Sequence, residues 1–335
     1  MSAGPVRVGL AGAGWVTGHH LDAWGGLAGR ATVVAIADPV RTAAEARAAR
    51  YGIPAVFESV EEMLQETRLD ALDVATPRET HVAICRMAAE QGLAILCQKP
   101  LAPTLREAEA LVAELPESAR LMVHENWRFR PHYRRMGEWI RAGRIGVVRG
   151  ASLGVFTSGL LPDATGELPA LVRQPMLAGL ERMLLMEVMI HHVDTLRFLL
   201  GPLTLDGSSL GKGCAEIRGE DRATLFMSTA KGAPVTLAGD FMAHGHPPQQ
   251  MDRLEILGAA GAIVLEEDGL TLHGGSRPEV MTLDLAADYA ASYRATIAHF
   301  LDRLADGESF ETAPADNLET LRIVEEAYRR AGRGG

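Results

Sequence analysis

The sequence predicts an α/β protein in two parts: an N-terminal, doubly wound parallel sheet of the Rossmann type, then an α+β domain with an open, mainly antiparallel sheet. Three observations carry that expectation. Over the first 125 residues short apolar runs alternate with helix-length segments, as crossover connections between parallel strands require. The first run ends in a glycine-rich turn, Gly12-Ala13-Gly14, and the second ends in an acid, Asp38. From about Val147 strand-like runs follow one another without helices between them. Domains at 1–125 and 126–335 are therefore expected.

Val6–Ala11 is a short apolar run and Thr32–Asp38 a β-branched one, with a helix-length segment between them. The next helix, about Thr42 to Arg50, stops near Gly52. Ser59-Val60-Glu61-Glu62 has capping-box spacing and opens another helix, and Thr104-Leu105-Arg106-Glu107 repeats the pattern. Between the two boxes, Asp70 to Ala75 reads as a strand, His81 to Gln91 as a helix closed by Gly92, and Leu93 to Cys97 as the next strand. In the second domain Gly150–Phe156, Arg222–Thr229 and Val235–Met242 read as strands of an antiparallel sheet. One long helix, roughly Met183 to Leu200 and ended by Gly201-Pro202, interrupts them. Two final helices, about Tyr289 to Ala305 and Ala315 to Arg330, are expected to pack back against the sheets, the last toward the first domain.

A length of 335 residues favours two domains, and 47% hydrophobic with 23% charged residues is ordinary globular composition. The net charge of -10 with dispersed Lys and Arg offers no footprint for nucleic acid. Cys85, Cys97 and Cys214 are odd in number and lack CxxC spacing, which predicts buried free thiols in a reducing compartment. Residues Met1–Pro5 have no basic or apolar signal character, and no segment is long and apolar enough for a bilayer, so the expected address is the cytoplasm with no membrane partner. His19-His20, His191-His192 and His244-x-His246 look like ligand pairs, but adjacent histidines rarely converge on one ion and no HExxH or Cys-rich spacing accompanies them. No metal site is expected.

A glycine-rich turn after a first strand lets the backbone approach a pyrophosphate, whose charge the following helix N-terminus stabilises. Gly12 and Gly14 sit where that needs them, and Trp15 and Val16 lead from the turn into the helix. Thr17 takes the usual third glycine position, with Gly18 one place later, so the GxGxxG fingerprint is incomplete. A structural turn without ligand is the alternative. Asp38 can accept both ribose hydroxyls and would repel a 2′-phosphate, which favours NAD over NADP; Arg41 tempers that choice, since a guanidinium could hold the phosphate. Glu187 and His191 stand four residues apart on one face of the long helix, and Gln98-Lys99-Pro100 follows a strand. Together these point to nucleotide binding with proton transfer, the chemistry of a dehydrogenase.

With Gly12-Ala13-Gly14, Ala75-Thr76-Pro77 and His81, Gln98-Lys99-Pro100 and Glu187 to Asp194 in that order and spacing, the chain resembles the Gfo/Idh/MocA oxidoreductases. The likeness runs to the terminal Leu321–Tyr328 helix. It implies a Rossmann domain followed by a domain whose sheet often forms subunit contacts, hence a homodimer or homotetramer, with sugars, inositols or their derivatives as substrates. The family's tripeptide is typically Glu-Lys-Pro, its lysine reaching the reacting hydroxyl and its acid touching the nicotinamide ribose. Lys99 maps onto that lysine, and Gln98 replaces the acid, keeping an acceptor but losing a charge. Thr76, Pro77 and His81 fall among the cofactor-binding positions, although His81 could instead line the pocket or cap its helix.

The family's second motif, Asp-x-Gly-x-His-x-x-Asp, reads Glu187-x-Met189-x-His191-x-x-Asp194 here. His191 matches the usual base; Glu187 is one methylene longer than the usual acid, and Met189 fills a glycine position, which alters the pocket. His192 points about 100° around the helix and reads as structural. Asp194 either contacts substrate or supports the helix. Asn126-Trp127-Arg128 follows the strand that ends the first domain, where Trp127 and Arg128 suit sugar recognition by stacking and hydrogen bonding; interdomain packing is the alternative. Arg173-Gln174 is a further candidate in the loop before the helix.

For alcohol oxidation these assignments make His191 the general base, Lys99 the cation that stabilises alkoxide charge, and Glu187 the group that orients them. Oxidation of an aldose at C1 to a lactone is the first expectation, a pentose such as apiose being one substrate that the resemblance suggests. Oxidation of a ring hydroxyl to a keto sugar or inosose is the alternative. A non-catalytic nucleotide-binding regulator and a zinc hydrolase are the readings from other classes.

Overall fold

The computed structural model describes residues 4–249, 251–267 and 269–332. Its first strand, β1 (Val6–Ala11), leads through the glycine turn into α1 (Thr17–Gly25), and β2 (Ala31–Ala37) into α2 (Arg41–Tyr51). There follow β3 (Ala55–Phe57), α3 (Val60–Glu66), β4 (Ala71–Val74), α4 (His81–Glu90), β5 (Ala94–Gln98), α5 (Leu105–Glu114) and β6 (Leu121–His124). The six strands pair in parallel in the order β3-β2-β1-β4-β5-β6. Strand order reverses between β1 and β4, the switch point where doubly wound sheets bind ligands beyond the strand C-termini. Every residue of β4, β5 and β6 is buried, so these strands are mainly apolar on both faces, with Asp73, Gln98 and His124 as their buried polar members.

The local signals explain where the helices start and stop. Ser59 and Thr104 each accept the backbone N–H three residues on, from Glu62 at 3.1 Å and Glu107 at 3.2 Å. At the other end, α2 closes on Gly52 in the left-handed conformation.

The later elements are α6 (Pro131–Arg141), β7 (Val148–Phe156), α7 (Pro169–Arg173), α8 (Ile190–Leu200), β8 (Leu203–Gly211), β9 (Arg222–Thr229) and β10 (Pro234–Asp240). Then come β11 (Met251–Gly258), β12 (Ala262–Glu266), β13 (Gly269–His273), β14 (Glu279–Thr282), α9 (Leu285–Asp306) and α10 (Pro314–Arg330). The second sheet has eight strands in the order β14-β13-β12-β11-β7-β10-β9-β8. It is mainly antiparallel as expected, but β7 and β10 are parallel neighbours: the long return through α8, β8 and β9 brings the chain back in the same direction. The strands the sequence reading passed over carry a legible signal. In β11 and β12 buried residues recur at every second position, Leu254 and Ile256, then Ile263 and Leu265.

Two compact units result, Met1–Arg130 with Tyr289–Glu319, and Pro131–Asp288 with Thr320–Gly335. In the first, α9 shares one core with the parallel sheet: Tyr293, Ile297 and Phe300 bury against Val8, Trp24, Leu96 and Met122. Thr312 fastens that return, its carbonyl accepting the Val123 N–H at 2.9 Å and its hydroxyl donating to the Val123 carbonyl at 2.6 Å. In the second, the Arg182 guanidinium forks onto both Glu325 oxygens at 2.6 and 2.7 Å and so holds α10. Among the described residues no helix is long and apolar enough to cross a membrane.

Candidate active site

At the end of β1 the backbone of Gly12 adopts φ 102°, and a Cβ there would stand 2.5 Å from the Ala75 carbonyl oxygen. Only glycine satisfies both conditions. Gly14 differs: a Cβ there would meet nothing within 4 Å, so no packing demand selects glycine and the turn keeps open room beside its backbone. Thr17, in the place of the third glycine, is buried and donates its hydroxyl to the Gly12 carbonyl at 3.2 Å, closing the turn by a bond instead of by close approach. The Asp38 carboxylate accepts the Ala13 N–H at 2.7 Å and the Val40 N–H at 2.8 Å. Open room at Gly14, an α1 N-terminus behind it and an acid at the end of β2 fit a dinucleotide.

Arg41 is exposed and engaged by two carboxylates, Glu45 at 2.9 Å and Glu58 at 3.6 Å, which raise its pKa and neutralise the charge a 2′-phosphate would need. The sequence reading missed Arg47, which reaches from α2 to the carbonyls of Gly14 at 2.9 Å and Ala13 at 3.4 Å. Only its place on the helix after the acidic strand end could have pointed to it. Trp15 is 54% exposed and meets His19 edge-on. Val16 is half-buried at the N-cap of α1.

The second cofactor segment is tied to the lysine loop by His81. Its imidazole is buried between two carbonyl oxygens, Thr76 at 3.0 Å and Pro100 at 2.9 Å. Burial pushes its pKa below the ordinary histidine value, with the two carbonyls acting against that shift. His81 thus clamps the two loops together, both ring nitrogens facing backbone carbonyls. Thr76 accepts the Thr80 hydroxyl at 2.7 Å, and Pro77 precedes the short turn Arg78–Thr80.

Gln98 ends β5 inside a buried polar chain. Its carboxamide oxygen accepts the Lys99 N–H at 3.0 Å, and its nitrogen faces His20 Nε2 at 2.9 Å. His20 Nδ1 in turn meets Asp73 Oδ2 at 2.8 Å. Lys99 itself is half-buried.

The candidate recognition residues after β6 are held by the chain that returns to the first unit. Asn126 is buried and donates to Ser292 Oγ at 2.8 Å, while Arg128 is buried in an ion pair with Asp316 at 2.7 Å and donates to the Glu311 carbonyl at 3.2 Å. Both fasten the returning chain to the rest of the first unit, which accords with the packing alternative. Trp127 remains half-buried, with the Arg130 guanidinium 3.5 Å over its ring.

In the second unit, the segment read as one long α-helix is two structures. Leu184–Met189 forms a π-helical turn and Ile190–Leu200 the α-helix. His191 therefore lies in the first turn of α8 and Glu187 in the π-helical turn. Glu220, missed in the sequence, anchors its start: this buried carboxylate accepts the Leu185 N–H at 2.9 Å and the Tyr328 hydroxyl at 2.6 Å. Met189 is fully buried where β10 carries Gly239, and a Cβ at that glycine would come 2.6 Å from the Met189 sulfur. The bulk added on the helix is matched by its absence on the sheet.

His191 keeps 8% of its surface and Glu187 is half-buried. His192 is fully buried, its Nε2 2.8 Å from Asp252 Oδ1, and Tyr133 donates to the other oxygen at 2.7 Å. Asp194 is also fully buried and accepts the Thr320 hydroxyl at 3.3 Å, joining α8 to α10. This placement accords with the supporting role among the two expected for it. Arg173 is exposed at the end of α7. Among the described residues no cluster of His, Cys, Asp and Glu could hold a metal ion, and Cys85, Cys97 and Cys214 are buried free thiols.

A parallel six-stranded sheet with a glycine turn, an acid closing β2 and a lysine leaving β5 defines an NAD-dependent oxidoreductase. Residues 6–126 match the model of the oxidoreductase family with an NAD-binding Rossmann fold, and residues 133–264 match the Gfo/Idh/MocA C-terminal domain. The chain belongs to the Gfo/Idh/MocA family. It is 30% identical to a D-apiose dehydrogenase of Paraburkholderia graminis, over 97% of this chain and 87% of that protein. It is 28% identical to an inositol 2-dehydrogenase of Rhizobium meliloti, over 97% and 96%. Among solved structures, an oxidoreductase of Agrobacterium radiobacter in complex with NAD+, L-tartaric acid and magnesium superposes with a TM-score of 0.90 at 26% identity, covering 98% and 97% of the two chains.

Proposed function

We propose that this enzyme oxidises a hydroxyl of a sugar or polyol with NAD, and that its substrate is an aldose, a pentose such as apiose, taken at C1 to the lactone. The substrate class rests on the similarity to D-apiose dehydrogenases along nearly the whole chain. The observation that carries the chemistry is the retention of both Lys99 and His191 in a chain with an open dinucleotide turn. When bound, NAD supplies the hydride acceptor, C4 of its nicotinamide. His191, as neutral imidazole, takes the hydroxyl proton while the carbon becomes a carbonyl. Lys99, as ammonium, stabilises the negative charge that grows on oxygen, and Glu187 orients the hydroxyl and balances charge. The side chain that replaces a glycine at Met189 is accommodated where β10 carries Gly239, whose missing Cβ leaves room for its sulfur.

A panel of aldoses, polyols and inositols, with NAD and with NADP, tests this through nicotinamide absorbance. Reduction of NAD by an aldose with appearance of the lactone supports the reading. Oxidation of inositols instead favours the second reading, which the similarity to inositol 2-dehydrogenases supports. Tight NADH binding with no turnover on any member of the panel would favour a regulator. The reading includes a homodimer or homotetramer assembled through the outer face of the second sheet, where Phe226 and Leu257 are exposed. It also includes a reducing, cytoplasmic address, in keeping with the three unpaired thiols.

A further inference from the structure

Asp73 sits in the middle of β4 with no exposed surface, an expensive place for a carboxylate unless donors compensate it. Two do, on one oxygen: His20 Nδ1 at 2.8 Å and Trp24 Nε1 at 2.7 Å. The carboxylate can only accept, so the hydrogen of the neutral His20 ring belongs on Nδ1 and Nε2 carries a lone pair. That lone pair faces the Gln98 nitrogen at 2.9 Å, and the same nitrogen lies 3.4 Å from His124 Nδ1. The carboxamide is thereby oriented with its oxygen toward the Lys99 N–H, 3.0 Å away. Each donor meets an acceptor from Asp73 to Lys99, and reversing any one member breaks the rest. With the hydrogen on Nε2, Nδ1 would oppose Asp73 lone pair to lone pair, the carboxamide would have to flip, and Lys99 N–H would face an amide hydrogen.

We propose that Asp73 and His20 are positioning residues: by fixing the His20 tautomer, Asp73 orients Gln98, and Gln98 fixes the point at which Lys99 leaves β5. This rests on the reading of Lys99 as the residue that stabilises alkoxide charge. It gives the departure from a Glu-Lys-Pro tripeptide a physical reason. A carboxylate in place of the Gln98 amide would set an oxygen against the His20 lone pair, so a glutamine is the residue that matches a histidine whose tautomer is already set by Asp73. The aromatic wall around the ring is His124 and Tyr293, 4.3 and 5.4 Å away from centroid to centroid, and the contact made to Nε2 comes from Gln98.

The test combines histidine nitrogen NMR with kinetics on the full-length enzyme. In 15N-histidine-labelled wild-type protein, with the His20 signals assigned by His20→Gln, the neutral ring is expected to carry its hydrogen on Nδ1 and none on Nε2. In Gln98→Glu, Nε2 gains a proton, giving an imidazolium between Asp73 and the introduced carboxylate, and kcat falls as pH rises and that proton leaves. The groups facing this imidazole are Asp73, His124, Tyr293 and the neighbouring His19. All of them are the same in both proteins, so only the Gln98→Glu change distinguishes the variant's profile from that of wild type. Asp73→Leu should lower kcat about tenfold or more while NADH affinity stays within a few-fold, since misplacing a catalytic group by about 1 Å costs up to about 10²-fold. Asp73→Asn, which can still accept both donors, should recover most of that loss. A wild-type ring protonated on Nε2 overturns the proposal even if the leucine variant does not fold, and so does wild-type kcat in a folded Asp73→Leu. Undiminished turnover in Lys99→Met would overturn the Lys99 reading instead, and is recognised separately because the His20 signals do not depend on it.

Discussion

The Asp38 carboxylate accepts the Ala13 amide at 2.7 Å, so the end of β2 and the glycine turn after β1 are held as one piece. On the reading of Asp38 as the residue that accepts the ribose hydroxyls, the acid is held in place before any cofactor arrives. NADH is expected to bind more tightly than NADPH, with fluorescence titration of the two reduced cofactors as the measurement. Asp38→Ser should narrow the gap. Equal or tighter NADPH binding to the wild type would overturn the assignment and move the weight to Arg41, despite its pairing with Glu45 and Glu58.

The two glycines of the turn should separate cleanly on substitution. Gly12→Ala forces a side chain into the left-handed region against the Ala75 carbonyl and is expected to cost about 1–3 kcal/mol of stability, read from denaturant midpoints. Gly14→Ala meets no protein atom and should fold as wild type, yet lose NADH affinity by filling the room the pyrophosphate needs. Identical stability losses for the two variants would contradict this.

Replacing Lys99 by Met keeps most of the stem and removes the charge. Turnover should drop by about 10²-fold or more, with NADH affinity within a few-fold. If His191 acts on the same step, Lys99→Met and His191→Gln will be strongly non-additive, the double variant losing little more than the worse single one. Fully multiplicative losses would mean that the two residues act in different steps.

His81 ties the site to stability at acid pH. Its folded pKa lies below the ordinary value of 6.5 because burial disfavours the imidazolium. Below pH 6.5 the unfolded chain binds the proton that the folded one resists, so the histidine's contribution is complete above pH 6.5 and is lost as pH falls through the folded pKa. The denaturant midpoint of the wild type should fall on acidification below neutrality, and His81→Gln should flatten part of that slope. An unchanged slope in the variant would show that other groups carry it.

Buried Glu220 and Tyr328 make a second, separable case. The Tyr328 hydroxyl donates to Glu220 at 2.6 Å while that carboxylate caps the π-helical turn through the Leu185 N–H. Tyr328→Phe should leave NADH affinity intact and reduce stability by about 1–3 kcal/mol, the cost of a buried acceptor losing its donor. A loss of cofactor affinity with no loss of stability would refute this division of labour.

The sequence by itself determined the doubly wound sheet, the glycine turn with Asp38, the capped starts of α3 and α5 and the stop of α2 at Gly52. Each of these is local, fixed by φ preference, capping chemistry or apolar periodicity within a few residues, and each stands as expected in the fold. The register of partners from distant segments was not legible. That β7 lies parallel to β10, that Asp73 reaches His20 and through it Gln98, that Glu220 caps the turn carrying Glu187, and that Arg128 is held by Asp316 all depend on tertiary packing. The physical reason is burial: a polar side chain withdrawn from water must find a partner wherever the fold brings one. Which residue that is, 53 positions away for His20 and Asp73 or 188 for Arg128 and Asp316, is decided by packing and leaves no mark in the neighbouring sequence.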